Sequence, residues 1–251
     1  MSFLIKLGTF VLFTATSCFG AENVEDLRIK AENGDVSSQA SLGSAYFYGL
    51  GVAKDLPQAA KWMRLAAEQG NAVACSVIAG MYAVGEGVPQ DTGECIKWTT
   101  KASELGYARS QVLLGGAYER GWGVEKNLSL ALKWYSCAAE KGNAKAQSSL
   151  GSLYAEGRGV ETSYRDAAKW FLKAATQGDA WAQSNLGLYF HLGTGVAVDE
   201  IESYKWCLLA RSNGRPEASE RIKALEALLT PDQLKEGQKR ASEFRPVTEN
   251  P

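Results

Sequence analysis

The chain is 251 residues long, with 45% hydrophobic and 22% charged residues, a composition that excludes an intrinsically disordered polymer. Lys plus Arg number 27 against 28 for Asp plus Glu, a formal net charge of -1. That balance argues against nucleic acid or an anionic membrane surface as partner, since either demands a basic excess.

Residues 1–20 stand apart from the rest. Lys6 is their one charged side chain, Leu7 to Ala15 is apolar with small residues mixed in, and Cys18 and Gly20 precede a cut before Ala21. The pattern predicts a secretory signal peptide, because the apolar stretch is too short and too weakly flanked for a membrane span. The mature chain is therefore expected in the periplasm or outside the cell. The alternatives are a buried N-terminal element, or a lipoprotein acylated on Cys18, although Ala15 stands where such sites usually carry Leu. No later segment is apolar for long enough to cross a membrane.

Residues 21–34 read as an N-terminal capping helix ending at Gly34. From residue 35 to 214 the chain aligns with itself at a shift of 36 residues, five times and without a gap. One column holds Leu42, Ile78, Leu114, Leu150 and Leu186, and the next holds Gly43, Ala79, Gly115, Gly151 and Gly187. An aromatic column (Tyr46, Tyr82, Tyr118, Tyr154, Phe190) is followed by glycine columns that begin with Gly49 and Gly51. Trp62, Trp98, Trp134, Trp170 and Trp206 take five of the seven tryptophans, and Gly70, Gly106, Gly142, Gly178 and Gly214 close the units. Each unit predicts a helix A ending at Gly49 or its equivalent, a glycine-bent loop, and a helix B. Asp55, Asp91, Asn127, Ser163 and Asp199 mark the starts of the B helices as N-caps, and Gln58, Glu94, Asp166 and Glu202 three residues later complete a capping-box pattern. Small residues at Gly43 let helices A and B approach closely, and the Trp column is expected to face the core. A hairpin of this kind buries one side of each helix, so neighbours must stack. Residues 215–245 read as C-terminal capping helices, with Lys223 and Glu226 replacing the glycine and aromatic columns. Residues 246–251 read as a disordered tail.

The segment QASLGSAYFYGLGVAKDLPQAAKWMRLAAEQGN, beginning at Gln39, and its counterpart from Ala146 resemble Sel-1-like repeats, relatives of tetratricopeptide repeats with longer loops. The resemblance covers residues 23 to 214. It implies an all-α, right-handed α/α solenoid of five 36-residue helix-turn-helix repeats, with the A helices lining a concave face. It also implies an adaptor or scaffold role, commonly in the bacterial envelope, without identifying the partner.

Catalytic signatures are missing. His191 is the single histidine, no S-x-x-K or phosphate loop occurs, and no metal or cofactor is expected. A cysteine-rich secreted branch of the family carries a beta-lactamase label, which makes a hydrolase acting on beta-lactams or the cell wall the main alternative. That branch pairs cysteines within each repeat, and this chain does not. Cys75 falls near the start of a helix A and Cys95 near the start of the antiparallel helix B, so they lie roughly 15–18 Å apart, too far for a bridge. Cys137 and Cys207 belong to B helices of different repeats. All four are read as packing residues, against the permissive redox state of an exported protein.

The face of helix A opposite the core maps by spacing. It carries Phe47 and Tyr48 in the first repeat, Arg109 and Arg120 in the third, and Trp181, Leu188, His191 and Leu192 in the fifth. Trp122 replaces Leu50, Glu86, Arg158 and Thr194 in the loop. These residues form the expected binding surface, apolar at its ends and mixed in charge between, suited to a protein or peptide. The remaining alternative is a structural part of an envelope assembly, oligomeric state unspecified.

Overall fold

A computed structural model describes residues 23–247. The expected signal peptide and the last four residues of the expected tail lie outside the described residues. Those residues form thirteen helices and no strand. In chain order they are α1 (Val24–Glu32), α2 (Val36–Tyr48), α3 (Leu56–Glu68), α4 (Ala72–Val84), α5 (Thr92–Glu104), α6 (Ala108–Arg120) and α7 (Leu128–Glu140). They continue with α8 (Ala144–Glu156), α9 (Tyr164–Thr176), α10 (Ala180–Leu192), α11 (Glu200–Ser212), α12 (Ala218–Leu228) and α13 (Pro231–Glu243). The A helices are thus α2, α4, α6, α8 and α10, each followed by its B helix. The chain divides into two compact units, one ending at Glu125 and the other beginning at Lys126, so the boundary falls in the loop of the third repeat.

The loop between helices A and B is closed by one backbone bond. Gly49 enters the left-handed region at φ 72 and its N–H caps α2 on the Ala45 carbonyl. The chain then turns back until the N–H of Asp55 donates to the carbonyl of Tyr46 at 2.9 Å. The same bond joins Asp91 to Tyr82, Ser163 to Tyr154 and Asp199 to Phe190, each at 3.0 Å. This bond alters the expected capping chemistry. The cap N–H is already taken, so the carboxylate three residues later cannot return to it, and Asp166 accepts from the Ser163 hydroxyl at 2.6 Å. Glu94 instead accepts from Lys97 at 2.8 Å and from the Trp98 indole at 3.0 Å. Among the described helices, both halves of a capping box meet at Thr230 and Gln233 of α13. The side-chain half persists at the B helices, as in Gln58 N–H donating to Asp55 Oδ1 at 3.0 Å.

Small residues set the spacing within each hairpin. A Cβ built on Gly43 would lie 3.0 Å from Met63, one on Gly151 2.8 Å from Phe171, and one on Gly187 2.7 Å from the Cys207 sulfur. Alanine repeats this logic through the cores, where Ala59, Ala66, Ala74, Ala102, Ala138, Ala146, Ala167 and Ala182 are each fully buried.

A buried amide column, not anticipated from the sequence, ties each A helix to the B helix before it. Gln39, Gln147 and Gln183 donate to the carbonyls of Ala31, Ala139 and Ala175 at 3.1, 3.2 and 3.1 Å. Their oxygens accept in turn from Gln69, Gln177 and Asn213 at 2.8, 2.8 and 2.9 Å. Each amide therefore adds a side-chain donor to a helix-end carbonyl that also accepts a backbone N–H, from Gly34, Gly142 and Gly178 respectively. Cys75 takes this position in the second repeat, its sulfur 3.5 Å from the Ala67 carbonyl.

The tryptophan column departs from the expected core role in part. Trp62, Trp98 and Trp206 are buried, whereas Trp134 and Trp170 are half-buried. Lysine ammonium groups lie over the rings, Lys133 at 5.1 Å from Trp134 and Lys173 at 4.3 Å from Trp170. The column is a boundary layer: one ring edge faces the core and a cation covers the outer side.

In the second unit the C-terminal helices cover α11. Tyr204 stands where the first and fourth repeats have Ala60 and Ala168, and it joins Cys207, Ala210, Ile222 and Leu225 in one cluster. Gly237 lets α13 lie against that ring, since a Cβ there would sit 2.7 Å from Tyr204. Phe244 then meets Trp206 edge-on at 5.6 Å, and the N–H of Val247 donates to the Thr176 carbonyl at 2.9 Å.

Candidate partner-binding surface

The A helices present their surface residues within two separate units. In the first, Phe47 and Tyr48 end α2 as an edge-on pair with ring centroids 5.0 Å apart. Lys54 lies 5.8 Å from the Phe47 ring, and Phe47 is half-buried against the core of the second repeat. Phe47 is therefore partly a packing residue, and Tyr48 is likewise half-buried. Val73 and Val84 are exposed at the two ends of α4. Arg109 is half-buried on α6, and Arg120 is exposed at its end. Trp122 follows in the loop at 37% exposure.

Between α4, α5 and α6 lies a cavity of about 520 Å³, bordered by Arg120 and Trp122 at the end of α6. Sequence reading did not find it, although its signal was present. The surface column that reads Ser44, Ser152 and Leu188 elsewhere carries Gly80 and Gly116 here. Two adjacent losses of a side chain open space that spacing rules count as ordinary surface.

In the second unit Trp181 opens α10 at 41% exposure. Its indole N–H donates to Ser152 Oγ at 3.3 Å, and the Arg215 guanidinium lies 4.6 Å from the ring centroid. The ring is thus oriented from two sides and still open to a partner. Leu188 follows two turns along the helix and is half-buried, while Leu192 at the end is 60% exposed. His191 does not simply extend this patch. Its Nδ1 lies 2.8 Å from Glu200 Oε2, so the imidazole is turned toward the start of α11.

The four cysteines among the described residues are free: Cys75, Cys95 and Cys207 are buried and Cys137 is half-buried. Burial pushes the Cys95 thiol up to about 11 and raises those of Cys75 and Cys207. A thiol held protonated in this way is a poor nucleophile. Among the described residues no helix is long and apolar enough to cross a membrane.

Five segments, residues 36–71, 72–107, 108–143, 144–179 and 182–214, match the family model described as Sel1 repeat. Among solved structures, the chain is similar to a protective antigen present in uropathogenic Escherichia coli strains and displaying an SLR fold. The identity is 36% and the TM-score 0.79, over 89% of this chain and 49% of the antigen. It therefore spans about half the length of that antigen. It is also similar to a Sel1 repeat protein from Oxalobacter formigenes, with 26% identity and a TM-score of 0.73 over 88% of this chain and 98% of that one. No curated protein matches the chain.

Proposed function

Because the chain belongs to the Sel1 repeat family, we propose that it is an exported, non-enzymatic adaptor that holds a protein partner on the surface of its A helices. The observation that carries this reading is Trp181, exposed yet oriented by Ser152 and Arg215. An aromatic anchor whose rotamer is already chosen loses little entropy on binding, which is what interface hot spots exploit. Leu188 and Leu192 on the same helix extend the apolar contact, and Arg109, Arg120 and Trp122 offer mixed polar and aromatic contacts in the other unit. The signal-peptide pattern of residues 1–20 supports export. A hydrolase built on cysteine finds no activated thiol at Cys75, Cys95 or Cys207, and nitrocefin turnover tests that alternative directly.

The partner is to be isolated from envelope extract on the immobilised chain, and its affinity then measured for wild type and Trp181→Ala. Losing an interface anchor weakens binding by about thirtyfold. The melting temperature should change little, because other repeats place Ser37, Val73, Arg109 or Lys145 in that column. Equal affinity for both proteins would remove Trp181 from the site and direct attention to Trp122.

A further inference from the structure

The cavity of about 520 Å³ in the first unit has a chemistry of its own. Three column replacements surround it. Gly80 and Gly116 stand where other repeats have Ser or Leu, and Thr99 stands where the first, third and fourth repeats have Met63, Tyr135 and Phe171 and the fifth has Cys207. A Cβ built on Gly80 meets nothing within 4 Å, so the missing side chain is open space. The volume falls within the range of small-molecule sites, about 300–1,000 Å³.

The polar groups on the lining decide what can enter. Arg120 is the one charged side chain among the lining residues. The Thr99 hydroxyl already donates to the Cys95 carbonyl at 2.8 Å. Trp122 and Arg120 have donors only, so side-chain acceptors are limited to the hydroxyls of Ser76 and Thr99. An extended peptide brings one N–H per residue, and these walls would leave most of them without an acceptor. An apolar chain ending in a carboxylate brings acceptors and no donors.

We propose that this cavity binds an acyl carboxylate, its apolar chain over Gly80 and Thr99 and its carboxylate at Arg120. This site lies in the other unit from Trp181, and it takes Arg120 and Trp122 from the proposed partner surface. Calorimetric titration of the full chain with decanoate and with decanol tests it. Decanoate should bind one site per chain, tighter than decanol by about tenfold or more, as a charge-assisted hydrogen bond requires. Gly80→Leu introduces the residue type of Leu188 into open space. It should abolish decanoate binding while leaving the helical circular dichroism and melting temperature intact. Arg120→Gln should keep decanol binding and erase the preference for decanoate. Absence of saturable decanoate binding by the wild type, or unchanged binding by Gly80→Leu, overturns the proposal. So does binding of N-acetyl-Leu-Phe without decanoate uptake, which would make the cavity a pocket for peptide side chains.

Discussion

The tryptophan column shows how one residue type serves different degrees of burial. Trp206 is 2% exposed and packed by Phe244, so Trp206→Ala should cost about 3–5 kcal/mol in urea unfolding. Its indole nitrogen is buried without a hydrogen-bond partner, so Trp206→Phe should recover most of that loss. Trp134→Ala should cost clearly less than Trp206→Ala, since the Trp134 ring is half-buried; equal losses would show that exposure does not set the scale here. That difference was not legible in the column, because identity at a repeated position reports the backbone site and not how neighbours fill the space around it. The amide column was legible as spacing, in Gln39, Gln111, Gln147 and Gln183, but its purpose depends on carbonyls eight residues back. Gln147→Ala removes the side-chain bond to the Ala139 carbonyl, which keeps the backbone N–H of Gly142, and should destabilise by about 0.5–1.5 kcal/mol. The thiols offer a separate check. Denatured, unreduced protein lacking residues 1–20 should titrate four free thiols, and native protein should be alkylated first at Cys137, the one of these four that is not buried. Fewer than four would reveal a bridge.

At the scale of the helix, caps and first-turn charges link stability to pH. A hydrogen bond from Ser38 holds the Asp35 carboxyl below the usual range at the start of α2. Bonds from Lys97 to Glu94 and from Ser163 to Asp166 do the same at α5 and α9. A depressed folded-state pKa contributes stability above the unfolded value, near about 4, which is lost as pH falls through the folded value. The melting temperature should therefore stay level from neutrality to about pH 5 and fall below about pH 4. Asp166→Asn should make the acid limb shallower, by a modest amount because the group is exposed. An unchanged slope would mean that Asp166 titrates alike in both states. Helix number and order were readable from the columns, since the 36-residue shift repeats the Leu, Gly and aromatic positions that turn inward. The destination of the first-turn carboxylates was not readable, because it depends on a loop bond between backbone atoms that side-chain identity does not announce. The cavity escaped for a related reason: Gly80 and Gly116 look like helix tolerance until both are seen to border the same space.

For the molecule as a whole, stability should be local, because each repeat is held chiefly by its neighbours. Leu42 is fully buried with Leu27 and Trp62, so Leu42→Ala should cost about 2–5 kcal/mol. Hydrogen exchange should locate the damage. Protection is expected to drop in α1, α2 and α3 and to hold in α11 and α12; uniform loss along the chain would show one cooperative block instead. The junctions carry a further meaning. Every described hairpin loop from Tyr46 to Asp199 that closes through its cap N–H uses a carbonyl nine residues back in the same repeat. The turns between repeats likewise return Asn71, Asn143 and Asp179 N–H to carbonyls five residues before them. Duplicating or excising a stretch of 36 codons therefore recreates the same junction and strands no backbone group. Recombination can lengthen such a gene in whole-number steps, and each step adds another helix face on which selection can write a new contact.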